Sequence, residues 1–201
     1  MSGRFVVLEG GDGAGKSTQR ELLMEWLRDE GVEVVLTHEP GGTELGAALR
    51  ALLLDGDAID ARAEALLMAA DRAQHVAEVV RPALARGAWV VSDRHVPSSL
   101  VYQGVVRRLG VDAVAALSEF ATDALVPDVV ILLDVDDATA ESRRSPEGDR
   151  MEREGDTFHA SVRRAYRDLA ARFGWVMIDG SGSPQAVAER VRDVVRSLRI
   201  A

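Results

Sequence analysis

Residues 9–18 read EGGDGAGKST, and residues 10–17 within them match the spacing G-x-x-x-x-G-K-[ST]. That spacing suits a chain of phosphates. The glycines let backbone N–H groups close around phosphate oxygens, and a helix opening at Lys16 adds the positive end of its dipole. The Lys16 ammonium can reach the β- and γ-phosphates, and Ser17 can ligate Mg²⁺. Gly10, Gly11, Asp12, Gly13, Ala14, Gly15, Lys16, Ser17 and Thr18 are therefore assigned to a nucleoside triphosphate. Lys16 is the only lysine in the chain. Asp12 is the anomaly, a carboxylate where anion should repel anion.

Two further clusters combine charge with loop-forming residues. SDRHVPSSLVYQG spans residues 92–104. Asp93 ends a strand, where P-loop folds hold or orient Mg²⁺ through water. Arg94 follows at the C-terminal edge of the sheet, where open α/β folds bind ligands. Alone, a solvated Asp–Arg pair would look the same; the Ser, Tyr and Gln that follow favour a site. RRSPEGDRMER spans residues 143–153 and sets four arginines around a Pro/Gly-containing loop. Such a segment suits a lid whose arginines neutralise a transferring phosphoryl group. A charged surface loop is the alternative. Guanine-reading switch proteins commonly use N-K-x-D, which a chain whose only lysine is Lys16 does not contain.

The hydrophobic pattern supplies the frame. Short apolar runs predict strands over 4–9, 32–37, 88–93, 128–134 and 175–179. Helical spacing predicts helices over 16–30, 44–54, 61–86 with a bend at Pro82, 98–106, 111–125, 137–144, 157–172 and 184–198. Strands alternating with helices predict an α/β fold, a parallel sheet covered on both faces. With 201 residues and no repeat or linker, one domain over 1–201 is expected, with the lid at 143–153.

Composition narrows the function. The net charge of −9 argues against nonspecific binding of nucleic acid or an anionic membrane. The absence of cysteine excludes disulfides and thiolate chemistry. Apolar runs such as VVILL at 129–133 are too short to span a bilayer, and MSGRFVVLEG is no secretory signal, so the cytoplasm is expected.

FVVLEGGDGAGKST, EPGGTELG, LLMAADRAQH, SDRHVPSSLVYQG and PDVVILLDVD together resemble the thymidylate kinases, in that family's order and spacing over essentially the whole chain. The resemblance implies a P-loop NTPase fold with a five-stranded parallel sheet and a small lid. It implies the reaction ATP + dTMP → ADP + dTDP with Mg²⁺. Another nucleoside monophosphate or deoxynucleoside kinase stays open as an alternative, as does a P-loop ATPase that transfers nothing to a nucleotide.

By the same resemblance, Arg50 and Arg94 grip the dTMP phosphate. Arg72 bonds the thymine carbonyl, Gln103 reads the base edge with Ser99 close by, and Tyr102 lies against the deoxyribose. Glu39 and Asp93 orient water or Mg²⁺, and Asp12 accepts a bond from the 3′-hydroxyl. Met68 stands where the family usually stacks a phenylalanine on thymine, and His38 replaces a common arginine. Gly13 occupies a place that some members fill with a basic residue. A catalytic arginine from the lid is therefore implied, with Arg144 and Arg150 ahead of Arg143 and Arg153. A homodimer through the apolar faces of 61–85 and 111–125 is also implied.

Overall fold

The computed structural model describes residues 3–55, 57–143, 150–151 and 154–198. Five strands are present: β1 (Phe5–Glu9), β2 (Val34–His38), β3 (Trp89–Asp93), β4 (Val129–Asp134) and β5 (Val176–Asp179). They form one all-parallel sheet in the order β2-β3-β1-β4-β5. This is the predicted α/β architecture of a P-loop NTPase fold. β1 runs through the centre, with Phe5, Val6, Val7 and Leu8 all at 0% exposure. A strand buried on both faces needs a continuous apolar run, which FVVL provides.

The described helices are α1 (Lys16–Asp29), α2 (Glu44–Leu54), α3 (Ala61–His75), α4 (Arg81–Ala85), α5 (Val96–Ser99), α6 (Val111–Thr122), α7 (Asp137–Arg143), α8 (Asp156–Phe173) and α9 (Pro184–Leu198). On one face of the sheet Leu23 and Leu27 of α1 and Val191 and Val195 of α9 pack on Val6, Leu8 and Ile131. On the other, Val80 and Ala83 cover Phe5, Val7 and Val90. A further apolar cluster joins Leu53, Leu100, Tyr102 and Val114 to Tyr166 and Leu169 of α8. No helix among the described residues is long and apolar enough to cross a membrane.

Three predicted helices differ in detail. The helix expected over 61–86 loosens into a π-turn at Val76–Val80 before α4 resumes. Pro82 lacks an N–H and its ring crowds the carbonyl four residues back, and a wider turn relieves both. The helix expected over 98–106 is a single turn, α5, followed by a π-helical segment, Leu100–Val106. α6 stops at Thr122 because Asp123 and Ala124 take left-handed φ of 48° and 55°, while Arg81 Nη2 donates to the carbonyls of Thr122 and Asp123.

Candidate active site

The loop between β1 and α1 depends on glycines that neighbouring backbone leaves no alternative to. Gly13 has φ +81°, and a Cβ there would stand 2.2 Å from the Ala140 carbonyl oxygen on α7. Gly10 has φ +147°, and its Cβ would meet the Leu133 carbonyl at 2.6 Å. A basic side chain at position 13 therefore has no room. Lys16 Nζ donates to the carbonyls of Gly10 and Gly11, both at 3.1 Å. Burial, reinforced by Arg94, draws the ammonium below its usual pKa, while Asp93 and Asp12 oppose that shift. Ser17 Oγ donates to Asp93 Oδ2 at 3.1 Å. A hydroxyl and a carboxylate meeting in this way form a hard-oxygen pair that suits Mg²⁺, which completes its shell with water and substrate phosphates. Among the described residues no cluster of three or more His, Asp or Glu could cage a metal without such help.

Arg94 sits in a left-handed turn at φ +73°, a conformation that costs a non-glycine residue about 1–2 kcal/mol. Its surroundings hold it there. Its backbone N–H donates to Leu8 O at 3.0 Å, and Ser92 Oγ donates to Arg94 O at 2.8 Å. Nη2 meets Asp12 Oδ1 at 2.5 Å, and Nη1 donates to Gly10 O, Ser98 Oγ and Tyr166 OH at 3.1–3.2 Å. Beneath lies Glu9, fully buried. Its Oε1 accepts the N–H groups of His95 and Ser98, and its Oε2 accepts the hydroxyls of Ser98 and Tyr166. Burial raises the Glu9 pKa, and Arg94 and these bonds oppose the rise.

Arg72, 2% exposed, is fixed in the same way by another carboxylate. Its Nε donates to Glu39 Oε2 at 2.8 Å, its Nη2 to His95 O and Ser99 Oγ, and its Nη1 to Ser118 Oγ. His75 and His95 both bring Nδ1 to Glu39 Oε1, at 2.7 and 2.8 Å. Burial alone would raise the Glu39 pKa, but His95 and Arg72, with hydrogen bonds from both histidines, hold it well below the usual range. Asp71, next in sequence to Arg72, accepts the Gly41 N–H at 2.9 Å and so ties the EPGGT loop to α3.

One cavity of about 720 Å³ joins these parts. Of the residues singled out from the sequence, Asp12, Gly13, Gly15, Lys16, Ser17, Thr18, Glu39, Arg50, Met68, Arg72, Asp93, Arg94, Ser99, Tyr102 and Gln103 line it. Gly10, Gly11 and Ala14 form the back of the loop, outside that lining. Arg50 donates to Pro40 O at 2.9 Å. His38, beside it, is drawn below its usual pKa by burial and by Arg50, so it adds no positive charge near neutral pH.

The arginines of 143–153 separate. Arg144 and Arg153 lie outside the described residues, as does most of the expected lid. Arg150 is not brought to the phosphate loop: its Nε donates to Leu53 O at 2.9 Å and its Nη2 to Glu64 Oε2 at 2.7 Å. Arg143 lines the cavity, donates to Gly180 O at 3.1 Å, and places Nη1 3.8 Å from where a Cβ on Gly15 would stand. Sequence reasoning passed over Glu9, Ser98, Tyr166 and Glu64. Ser98 lies in the 92–104 stretch already marked, only without a role; nothing local marks Glu9, Tyr166 and Glu64, whose partners are distant in the chain, Tyr166 and Glu9 being 157 residues apart.

The family model described as thymidylate kinase matches residues 8–191. A thymidylate kinase of Leifsonia xyli subsp. xyli is 51% identical over 198 residues, covering 94% of this chain and 93% of that one. One of Bifidobacterium longum is 49% identical over 207 residues, covering 98% of this chain and all of the other. One of Halothermothrix orenii is 44% identical, with both chains covered completely. The chain belongs to the thymidylate kinase family.

Proposed function

We propose that this kinase transfers the γ-phosphoryl group of ATP to dTMP with Mg²⁺, yielding ADP and dTDP for deoxynucleotide synthesis. The observation that carries the reading is the single cavity in which the loop of Lys16 faces Arg94, Arg72 and Gln103. The acceptor is a phosphate oxygen, already anionic, so no general base is needed. Two anions must instead be brought into line, which requires positive charge held in place. Arg94 suits the acceptor phosphate because its guanidinium is always charged and forks to two oxygens. Arg50 supports it from the rim, and Glu39 acts by holding Arg72 rather than by direct contact with the metal.

Lys16 leaves the carbonyls of Gly10 and Gly11 for the β- and γ-phosphates when ATP enters. Ser17 and Asp93 hold Mg²⁺, partly through water; the ion supplies charge neutralisation at the phosphates. Asp12 is bound to Arg94 and faces the acceptor, where it accepts the 3′-hydroxyl. Tyr102 lies under the sugar, with Arg94 5.4 Å above its ring. Met68 contacts the base. Arg143, beside Gly15, is the described arginine best placed to neutralise the transferring phosphoryl; Arg144 and Arg150 are the other candidates from a lid at 143–153.

The chain is read as one domain acting in the cytoplasm on free nucleotides. It pairs as a homodimer through α3 and α6, where Leu66 and Phe120 are exposed at 59% and 87%. An ADP-release assay with ATP, Mg²⁺ and dTMP, dUMP or dCMP tests the activity. Stimulation by dTMP above the buffer rate is expected. Equal turnover of dCMP would overturn the specificity, and no response to dTMP would overturn the reaction.

A further inference from the structure

Glu64 lies in the first turn of α3, 1% exposed, and is not among the residues lining the cavity. Its Oε1 accepts Gln103 Nε2 at 2.8 Å. Its Oε2 accepts Arg150 Nη2 at 2.7 Å, and Arg107 Nε stands 3.5 Å from Oε1. Two guanidinium groups thus offset a buried charge that would otherwise be costly. An ion-paired carboxylate only accepts hydrogen bonds, whereas a side-chain amide has one donating and one accepting end. The nitrogen of Gln103 must therefore face Glu64. Its oxygen is left at the cavity wall, without a hydrogen-bond partner among the described residues.

Across the base pocket, Arg72 has five N–H bonds, four of them directed at Glu39, His95, Ser99 and Ser118. One N–H of Nη1 remains. The pocket therefore offers one fixed donor from Arg72 and one fixed acceptor from Gln103. That pair matches the O4 acceptor and N3–H donor of thymine. It opposes the exocyclic amino group and bare N3 of cytosine. Uracil carries the same edge as thymine, so this element cannot distinguish those two.

We propose that Glu64 is a positioning residue for base discrimination: it locks the Gln103 amide with its oxygen toward the base, so that cytosine is refused and thymine accepted. The inference rests on the reading of Arg72 and Gln103 as base contacts. Glu64→Gln keeps the shape but lets the partner amide turn over. Glu64→Asp keeps an acceptor-only group.

The test is kcat/KM for dTMP, dUMP and dCMP in the unsubstituted enzyme, in both Glu64 variants and in Gln103→Ala. Glu64→Gln is expected to raise the dCMP:dTMP ratio about tenfold, the order expected when a hydrogen bond that specifies an edge is relaxed, with dUMP:dTMP unmoved. Glu64→Asp is expected to keep discrimination even where turnover falls. An unchanged ratio in Glu64→Gln, or an equal shift in both variants, would overturn the proposal. Gln103→Ala tests the underlying reading separately: if it leaves kcat/KM for dTMP intact, Gln103 does not read the base. Should the Glu64 variants fail to fold, the unsubstituted enzyme still decides. A scalar coupling across the hydrogen bond, from ¹⁵N3 of labelled dTMP to Cδ of Gln103, requires the amide oxygen to accept. Its absence in a saturated complex, with close contacts from N3–H to the Nε2 protons, would contradict the orientation.

Discussion

The two sides of the cavity are made differently. The proposed donor side is one unbroken stretch, residues 10–18, and its shape comes from backbone: glycines at positive φ and carbonyls turned to Lys16. The acceptor side is made of side chains carried by α2, α3, the turn after β3, α5 and the π-helical segment that follows it. A backbone site is fixed by the path of the chain. A side-chain site needs something behind each reading group, and for Arg94, Arg72 and Gln103 that is a buried carboxylate. Glu9 supports Arg94 through Ser98 and Tyr166, Glu39 supports Arg72, and Glu64 supports Gln103. Substitutions on the donor side other than at Asp12 should therefore affect use of ATP, and substitutions behind the acceptor side should affect use of dTMP.

The largest effect is expected from Lys16→Ala. Losing the charge at the transferring phosphoryl should lower kcat about 10³-fold without unfolding the chain, as circular dichroism would check. Near-normal turnover would break the donor half of the comparison. Arg94→Lys comes next. A point charge cannot reproduce a forked guanidinium, so kcat/KM for dTMP should fall about 10²-fold while KM for ATP stays within about twofold. Gly13→Ala should cost about 2 kcal/mol through its left-handed φ and the clash with Ala140, lowering Tm by several degrees and raising KM for ATP alone.

Tyr166→Phe leaves Glu9 one hydrogen bond short and should cost about 1–2 kcal/mol. It should lower kcat/KM for dTMP roughly tenfold while sparing KM for ATP, since Tyr166 acts only through Arg94. An equal loss on both substrates would mean that the tyrosine only stabilises the fold.

The acceptor side also has a pH signature. Glu39 binds its proton more weakly folded than its ordinary value of 4.5. Between that value and the lower folded one, the unfolded chain holds more protons, so stability falls as pH falls. Glu9, shifted upward from 4.5, works in the opposite direction and gains stability as pH drops toward that value. Urea unfolding should show the advantage of the unsubstituted enzyme over Glu39→Gln shrinking below pH 4.5.

The same contrast explains what the sequence disclosed. The phosphate loop was legible because glycine, lysine and serine act within one turn of chain, and the strands because burial on both faces demands apolar runs. Arg94 was legible at the C-terminal edge of the sheet, but its grip on an acceptor phosphate and the roles of Arg72 and Gln103 came only through the family resemblance, since each belongs to a different element. Their supports were not legible: a glutamate in the first turn of α3 looks like a helix-start residue until Gln103, 39 positions on, is seen against it. The resemblance implied Arg150 as a lid arginine, but its ion pair to Glu64, 86 positions away, had no local sign. The π-turns were missed because the apolar pattern of a short helix hardly changes when one turn widens.

The central claim is that the two sides meet so that phosphate passes directly from one nucleotide to the other. Incubating the enzyme with Mg²⁺, dTMP and ATP labelled at the γ-phosphate, then separating the products, tests it most directly. Label in the β-phosphate of dTDP, matching the ADP formed, is the expected result. Label in inorganic phosphate, with dTMP unchanged, would contradict it.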